Sequence, residues 1–453
     1  MTDEPLSTSL HPECPDPSRL GPDPAQGLLR ARAARVAADR AARDDRWRRG
    51  FTRRRFLAGA GAAGVAALGS QLATARASFG QAGDGGGALV VVFLRGGMDG
   101  LSALVPAGDP HLAAARPDIA VPDSALLPLD RTFGLHPALA PLHDLWALNR
   151  FTAVPAVSTP DVSRSHFQAQ DCLERGGSSA GTAEGWLDRV LDAMGPGTTF
   201  RAVSAGTTVT RSLAGDQSAL ALRGIDKFVL HAGDPPQHAR TVEALSTLYT
   251  GFDHPLAGDV ASTMEGLNVA TVMSAVGYEA DAAYPEGEFA GHMSEMARLI
   301  KADVGLRVAC VDVGGWDMHT GMGRFDDGNM ARQLSDLGET LGAFATDLGG
   351  ALDSVNVVVM TEFGRRVEQN ANQGTDHGHG AAVLLLGGGL AGGTVHGAWG
   401  GLAPDQLDQG DVPGWNDYRD VLAEVVTTRL GVGAGALPTI FPGHQVRPVG
   451  VMA

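Results

Sequence analysis

The sequence predicts an α/β domain built on a largely parallel sheet, and three apolar runs carry that prediction. The runs are Ala88 to Leu94 (ALVVVFL), Arg307 to Val313 (RVACVDV) and Val355 to Met360 (VNVVVM). Continuous runs rich in β-branched side chains are typical of strands that are buried on both faces, as in parallel sheets covered by helices. The 62 glycines and the 6% aromatic content also favour alternating strands and helices over a helical bundle.

The first 77 residues have the features of a leader that directs export. Thr52 to Leu57 (TRRRFL) fits the twin-arginine (Tat) export pattern, and Ala75 to Ala77 (ARA) supplies a small-x-small cleavage site after an Ala/Gly-rich apolar run. A transmembrane anchor is the weaker interpretation, because Ala58 to Leu72 contains four glycines and is short and mildly apolar. The sequence therefore predicts a disordered leader and Tat signal peptide over residues 1–77, with the Tat translocase as the partner during export.

The predicted mature part, residues 78–453, is expected to be one α/β domain with an insertion or cap near 201–260. It holds 22 of the 35 Lys and Arg residues and 43 of the 51 Asp and Glu residues, which gives a formal charge of −21. So acidic a domain argues against nucleic acid as a partner, because a polyphosphate needs a basic surface. No long apolar segment predicts a membrane span. The expected location is the periplasm, the cell surface or the medium.

Two cysteines, Cys172 and Cys310, fall in the predicted domain. They could form one disulfide in an oxidising compartment. Cys310 lies inside an apolar run, however, and a small buried thiol is the more common outcome there. Two free thiols are therefore expected.

Each of the three predicted strands is followed closely by a carboxylate. Asp99 follows the first strand, Asp317 the second and Glu362 the third. In open α/β sheets the carboxyl ends of the strands form the edge at which ligands bind. A single Asp after a strand is more often a helix cap, but the repeated pattern favours a shared site.

Histidines accompany these carboxylates. His319 lies two residues after Asp317, and the segment Gly374 to Gly380 (GTDHGHG) contains Asp376, His377 and His379 between glycines. Carboxylates combined with imidazoles suit Zn, Mn or Fe, whereas an all-oxygen set would suit Mg or Ca. The pattern predicts a divalent metal site.

A fourth apolar run, Phe151 to Val157, precedes two serines at the start of a predicted helix. The hydroxyl of Ser163 or Ser165 could serve as a nucleophile at the positive end of the helix dipole, which also attracts an anionic substrate. Either serine could equally cap the helix that starts near His166. The residues alone give the two interpretations equal weight.

Several sequence blocks resemble, in order, a bacterial family known as domain of unknown function 1501. These blocks are FLRGGMDGL, RSHFQAQD, DVGGWDMH, VVVMTEFGRR, GTDHGHG, and NDYRDVLAEV with FPGH, and they span about Ala88 to Val446. Members carry Tat signals and are similar in fold to the alkaline phosphatase and sulfatase superfamily. The resemblance implies a three-layer α/β/α sandwich, with a mostly parallel sheet between helical layers and a metal site at its carboxyl edge.

The resemblance also implies roles for individual residues. Asp99 would match a metal-bridging aspartate, Asp317 and His319 a metal-binding pair, Glu362 the position of an Asp-His pair, and His377 or His379 a late histidine ligand. The remaining roles are a nucleophile at Ser165, or less favourably Ser163, and a hold on an anionic group by Arg164 and Arg95. Beside these, His166 and Asp376 are further candidate metal ligands.

Two departures from the superfamily pattern bear on the number of ions. Phe363 stands where a histidine ligand is expected, and the spacing from Asp317 to His319 is shortened. One or two Zn or Mn ions are therefore expected, with a site that binds none as the alternative. The leading hypothesis is a metal-dependent hydrolase of phosphate or sulfate esters, with either a serine or a water molecule as nucleophile. The competing hypothesis is a non-catalytic exported binding protein on the same fold.

Overall fold

The fold is known from a computed structural model that describes residues 86–177, 182–228, 241–244, 247 and 257–453. All of these belong to one compact unit, Ala66–Ala453. The leader and Tat signal predicted for residues 1–77 lie outside the described residues.

The described strands form an eight-stranded sheet in the order β13-β5-β12-β9-β1-β8-β6-β7, a two-stranded sheet of β10 and β11, and a three-stranded sheet in the order β2-β4-β3. Their bounds are β1 Ala88–Leu94, β2 Leu104–Pro106, β3 Leu127–Pro128, β4 Phe133–Leu135, β5 Phe151–Ser158, β6 Ala202–Ala205, β7 Leu220–Leu222, β8 Val308–Val313, β9 Val355–Met360, β10 Arg365–Gln369, β11 Thr375–His377, β12 Ala381–Gly387 and β13 Asn416–Asp417.

The α-helices described alongside these strands range from four to twenty residues. Their bounds are α1 Gly100–Ala103, α2 Pro110–Ala115, α3 Ala140–Ala147, α4 His166–Arg175, α5 Trp186–Met194, α6 Ala257–Val276, α7 Glu288–Lys301, α8 Asn329–Leu348, α9 Tyr418–Leu430 and α10 Leu437–Ile440.

The central sheet is mostly parallel, as the sequence predicts. β1 lies between β8 and β9 and is parallel to both, and β6 and β7 continue the parallel arrangement beyond β8. β12 is the exception, since it runs antiparallel to both β9 and β5. β1 is buried along its whole length, which explains why its sequence is continuously apolar rather than alternating.

Helices cover both faces of this sheet. Alternate residues of β1, Leu89, Val91 and Phe93, join a hydrophobic core with α5 and α9. The helices α3, α7 and α8 contribute nothing to that core; α8 packs on both α3 and α7, and α7 and α3 contact β8 and β5. The architecture is therefore a three-layer α/β/α sandwich, and the predicted fold class is confirmed.

The first part of the region expected to hold an insertion or cap, 201–260, belongs to the central sheet. β6 and β7 fall inside it, and both are parallel strands of the central sheet rather than parts of a separate element. Both are short and end near glycines, which explains why their sequence did not suggest core strands. Most of residues 229–256 lies outside the described residues.

Two smaller expectations concern the thiols and the membrane. Cys172 and Cys310 are both free and buried, as predicted. Among the described residues, no helix combines the length and the apolarity needed to cross a bilayer.

Candidate metal centre

The loops that carry the predicted site residues meet at one edge of the central sheet. Because β1, β8 and β9 are parallel, the segments that follow them leave the sheet at the same edge. β12 is antiparallel to β9 and β5, so the start of β12 and the end of β5 also lie there. Sheet topology alone therefore brings together the segments 95–99, 159–166, 314–319, 361–364 and 374–380.

A buried arginine, Arg365, joins three of these loops. Only 1% of its side chain is exposed, and its guanidinium donates to the carbonyl oxygens of Gly96 and Gly97 after β1 and of Thr375 in β11. Its Nη2 also lies 2.7 Å from Oδ1 of Asp317. The fork geometry of a guanidinium allows these several bonds at once.

The approach between the loops after β1 and β8 requires a glycine. Gly96 has a φ of +120°, and a Cβ placed there would lie 2.5 Å from the backbone nitrogen of Asp317. A side chain at this position would therefore push Asp317 away from Arg365.

Three histidines turn their Nε2 atoms toward Asp317. Nε2 of His319 lies 3.2 Å and Nε2 of His377 lies 3.4 Å from Oδ1 of Asp317, and Nε2 of His166 lies 3.5 Å from Oδ2. The two Nε2 atoms of His319 and His377 are 2.9 Å apart. Ligand atoms of His166, Asp317 and His377 all lie within 4.8 Å of one another.

Each of the three rings is held at its other nitrogen by an acceptor. Nδ1 of His166 lies 2.7 Å from Oε1 of Glu362, and Nδ1 of His319 lies 2.9 Å from Oδ1 of Asp376. Nδ1 of His377 lies 2.8 Å from the carbonyl oxygen of Arg164. Carboxylates and carbonyls accept hydrogen bonds, so each Nδ1 carries the proton and each neutral ring has a bare Nε2.

Bare nitrogens that converge on a carboxylate fit a metal ion. Nε2 of His166 is buried and forms no hydrogen bond within the described part of the chain. Ligands around a tetrahedral ion bound at about 2.0 Å lie roughly 3.3 Å from one another, and the separations of His319 and His377 from Asp317 and from each other, 2.9 to 3.4 Å, are close to that distance. His166, Asp317 and His377 form the group of three whose ligand atoms lie close enough to share an ion, and His319 adjoins that group through Asp317 and His377. A histidine whose Nδ1 is fixed by a carboxylate or carbonyl is the usual form of a metal-binding histidine.

The surroundings of the centre lower the pKa of its carboxylates. Although complete burial would by itself raise the pKa of Glu362, hydrogen bonds from His166 and Gln170 dominate and lower it to about 2. Burial likewise opposes ionisation of Asp317, but the Arg365 guanidinium outweighs it and lowers the pKa of Asp317. The hydrogen bond to Glu362 raises the pKa of His166. A cation bound at this histidine would therefore displace a proton.

Phe363 forms an apolar wall behind the histidines. It is buried, and its ring centroid lies 4.8 Å from those of both His166 and His377. Because a phenyl ring offers no ligand atom, it limits the centre to the nitrogens and carboxylate on its other side.

Comparison with models of protein families assigns the chain to a family. Residues 147–433 match the family model described as "Protein of unknown function (DUF1501)". The chain belongs to the DUF1501 family. No curated protein matches this DUF1501 sequence.

Solved structures offer only a weak likeness to this DUF1501 protein. Among the matches is the alkaline phosphatase from the Antarctic bacterium TAB5, which is 12% identical, with 66% of this chain and 91% of that chain covered. The TM-score of 0.27 is too low for this likeness to support a shared site.

Four predicted ligands of the DUF1501 protein lie outside the group of three histidines and Asp317. The Asp99 carboxylate is buried and accepts hydrogen bonds from Arg116 and Ser102. His379 lies beside Gly414, where a Cβ would come within 3.1 Å of its Nε2, and burial lowers the pKa of His379. Glu362 accepts from Nδ1 of His166, and Asp376 accepts from Nδ1 of His319. Both carboxylates therefore lie on the far side of the rings from the Nε2 atoms that face Asp317.

The two arginines predicted to hold an anionic group both pair with carboxylates of the protein. Arg95 donates to Glu174 and to Asp312, at distances of 2.9 to 3.0 Å. Arg164 pairs with the buried carboxylate of Asp411. Arg164 also contributes to the centre through its carbonyl oxygen, which binds His377.

The serines of the β5–α4 loop differ in their contacts. Ser163 donates to Asp161 at 2.7 Å and accepts from the backbone nitrogen of Ser165. Ser165 occupies the N-cap position of α4, but its side chain makes no capping hydrogen bond. Its hydroxyl is thus uncommitted within α4, next in sequence to His166.

Several residues that organise the centre were missed by the sequence reasoning. Arg365 lies in the segment VVVMTEFGRR, and Gln170 lies in the segment RSHFQAQD. Gln170 donates a hydrogen bond of 2.9 Å to Glu362. Spacing offered a signal for Gln170, because it lies one helical turn after His166 on the same face of α4. No local pattern could indicate that Asp411 would pair with Arg164.

Proposed function

We propose that this protein is an exported, metal-dependent hydrolase of phosphate or sulfate esters. The observation that carries the proposal is the convergence of three bare imidazole nitrogens on Asp317, each ring fixed at Nδ1 by an acceptor. Nitrogen ligands with one carboxylate favour Zn or Mn, and the phenyl ring of Phe363 favours one ion over two.

The residues have separate tasks in this proposal. His166, His319, His377 and Asp317 would hold the ion, and a bound ion would polarise the ester and stabilise negative charge on it. Glu362 and Asp376 keep the ring protons on Nδ1, so that Nε2 stays free to bind. These outer carboxylates act as positioning residues.

The attacking group in this proposal is the Ser165 hydroxyl, with a water molecule as the alternative. Ser165 neighbours His166, and its side chain does not cap α4. Ser163 is less suited, because its hydroxyl already donates to Asp161. With Ser165 as the attacking group, a bond from its oxygen to the phosphorus or sulfur would form as the ester bond to the alcohol breaks, and the hydroxyl proton would pass to the departing alkoxide. A water molecule would then hydrolyse the serine ester and release phosphate or sulfate, whereas direct attack by water would release both products in one step.

Export and superfamily membership are parts of the same proposal. The Tat motif at Thr52 to Leu57 supports translocation to the periplasm, the cell surface or the medium. The carboxyl-edge metal site on a three-layer sandwich supports a relationship to the alkaline phosphatase and sulfatase superfamily. An Arg53→Lys/Arg54→Lys variant should remain in the cytoplasm of a Tat-competent host, and export of that variant at the normal level would contradict the assignment.

A hydrolysis assay tests the activity. Protein loaded with Zn or Mn should cleave p-nitrophenyl phosphate or p-nitrophenyl sulfate, lose that activity in EDTA and regain it when the metal is returned. A His319→Ala variant should be inactive, whereas His396→Ala is the matched control, because the His396 ring bonds the carbonyl oxygen of Ala391 and none of the residues of the centre. Failure of the metal-loaded protein to cleave either ester would contradict the proposal.

One observation favours the competing hypothesis of a non-catalytic binding protein. Arg95 and Arg164, the cations expected to hold an anionic ester, are both paired with carboxylates of the protein. Under that hypothesis the protein would retain metal but cleave neither ester in the same assay.

A further inference from the structure

A cavity opens directly beside the candidate metal centre. It has a volume of about 390 Å³, within the range of pockets that bind small molecules. Asp317 lines both the cavity and the metal centre, and the loop after β8 and the first turn of α8 form the remaining wall. A ligand with one end at the metal centre could therefore place its other end in this cavity.

The wall of the cavity is polar. Met318 is the one apolar side chain among the lining residues, and it is buried. The other side chains besides Asp317 are a hydroxyl, two carboxamides and a guanidinium, contributed by Thr320, Asn329, Gln333 and Arg332.

Two of the three uncharged polar side chains are available to a ligand. No hydrogen bond joins the Thr320 hydroxyl to another described residue, and the Gln333 amide reaches the carbonyl of Gly315 only at 3.4 Å. Asn329 is committed, since it donates to Gly321 and accepts from Arg332, each at 2.6 Å. Thr320 and Gln333 are therefore the uncharged groups that can recognise a ligand. Arg332, which bonds Asn329 through Nη2 and lies 3.6 Å from Asp327, has further N–H donors at the same wall.

We propose that this cavity binds the alcohol portion of the ester and selects a polyhydroxylated alcohol, such as a sugar or polyol. The inference rests on the proposed function for the reacting end of the substrate. Hydroxyl groups can replace the water that solvates Thr320 and Gln333 and form hydrogen bonds with both. An alkyl or aryl group would remove that water and leave the polar atoms unpaired, which is costly.

A pair of matched probes tests this selectivity. Glucose 6-phosphate and hexyl phosphate carry the same phosphate and the same number of carbons but differ in hydroxyl groups. Binding to the Zn-loaded full chain is measured by calorimetry and turnover by phosphate release, with the two corresponding sulfates as a second pair. The test variant is Thr320→Val/Gln333→Met, which keeps side-chain size and removes the polar atoms. Ser335→Ala is the control, because Ser335 lies on α8 and bonds Glu339 outside the cavity.

The proposal predicts that the sugar ester binds at least about tenfold more tightly than the hexyl ester, the value of one or two hydrogen bonds. The double variant should lose most of this preference, and Ser335→Ala should retain it. Equal or tighter binding of the hexyl ester, binding of neither ester, or an unchanged preference in the double variant would overturn the proposal. Binding with this preference but no turnover would contradict only the hydrolase function, whereas turnover without preference would contradict only the cavity assignment.

Discussion

The Nε2 atoms of His319 and His377 lie 2.9 Å apart, although each ring donates its Nδ1 proton to a different acceptor, Asp376 for His319 and the carbonyl oxygen of Arg164 for His377. Two bare nitrogens at that distance repel each other unless a proton or a cation lies between them. Oδ1 of Asp317 is close to both, which adds negative charge at the same point. The arrangement is thus better suited to a bound cation than to the empty protein.

The outer carboxylate Glu362 should control metal affinity. Glu362→Gln keeps the size of the side chain but weakens its hold on the Nδ1 proton of His166, so metal affinity should fall about 10- to 100-fold. Competition with a chelator of known affinity measures the change. Glu368→Gln, an exposed substitution on β10, should leave affinity unchanged. Equal affinities for the two variants would show that Glu362 does not position His166.

Asp411 should act on the centre through Arg164. Arg164 has a φ of +56°, a conformation unfavourable for a residue with a side chain, and its pairing with Asp411 helps to keep its carbonyl at His377. Asp411→Asn removes the charge, and metal affinity should fall by roughly three- to tenfold, less than for a direct partner of a ligand. The same competition titration applies, with Asp408→Asn as the exposed control. A loss of folding stability without any change in affinity would contradict this role.

Arg365 should be essential to the stability of the site. A lysine cannot reach the carbonyls of Gly96, Gly97 and Thr375 together with Asp317, so Arg365→Lys leaves buried polar groups unpaired. We expect the free energy of unfolding to fall by about 3 kcal/mol or more. Urea unfolding measures this. The control Arg324→Lys changes an exposed ion pair with Asp326 and should change the stability by less than about 0.5 kcal/mol.

His136 should make stability depend on pH independently of the metal centre. Burial lowers the pKa of His136 to about 4, and its Nδ1 accepts a hydrogen bond from the backbone of Ala138. The unfolded chain binds the proton below pH 6.5 and the folded chain only near pH 4, so stability is lost as the pH falls through that interval, by roughly 3 kcal/mol in all.

The variant His136→Asn keeps a capping acceptor that does not titrate. Urea unfolding between pH 7 and 4.5 should show a shallower loss of stability for this variant than for the native chain. Parallel curves for the two proteins would contradict the assignment to His136.

Much of the fold could be predicted from the sequence, because buried parallel strands leave continuous apolar runs. The predicted run Ala88 to Leu94 coincides with β1, and Val355 to Met360 coincides with β9. The meeting of Asp317 and Glu362 at one edge followed from the parallel order of β8 and β9, without knowledge of any contact. His377 precedes β12 and reaches the same edge only because β12 runs antiparallel to β9.

The arrangement within the site could not be predicted in the same way. A sequence does not indicate whether a carboxylate will contact an ion or the Nδ1 of a histidine, since this depends on separations of a few ångströms. Asp99 illustrates the point: it follows β1 as predicted, but Arg116, seventeen residues later, pairs with it in the core. Short strands such as β6 leave too brief an apolar run to be recognised.

The metal content of the purified protein tests the central claim most directly. Inductively coupled plasma mass spectrometry of the native chain, beside an Asp317→Ala/His319→Ala variant and the control His396→Ala, gives the stoichiometry. The account predicts about one Zn or Mn ion per chain in the native protein and the control, and almost none in the double variant. No metal in the native protein after reconstitution, or an equal amount in the double variant, would contradict it.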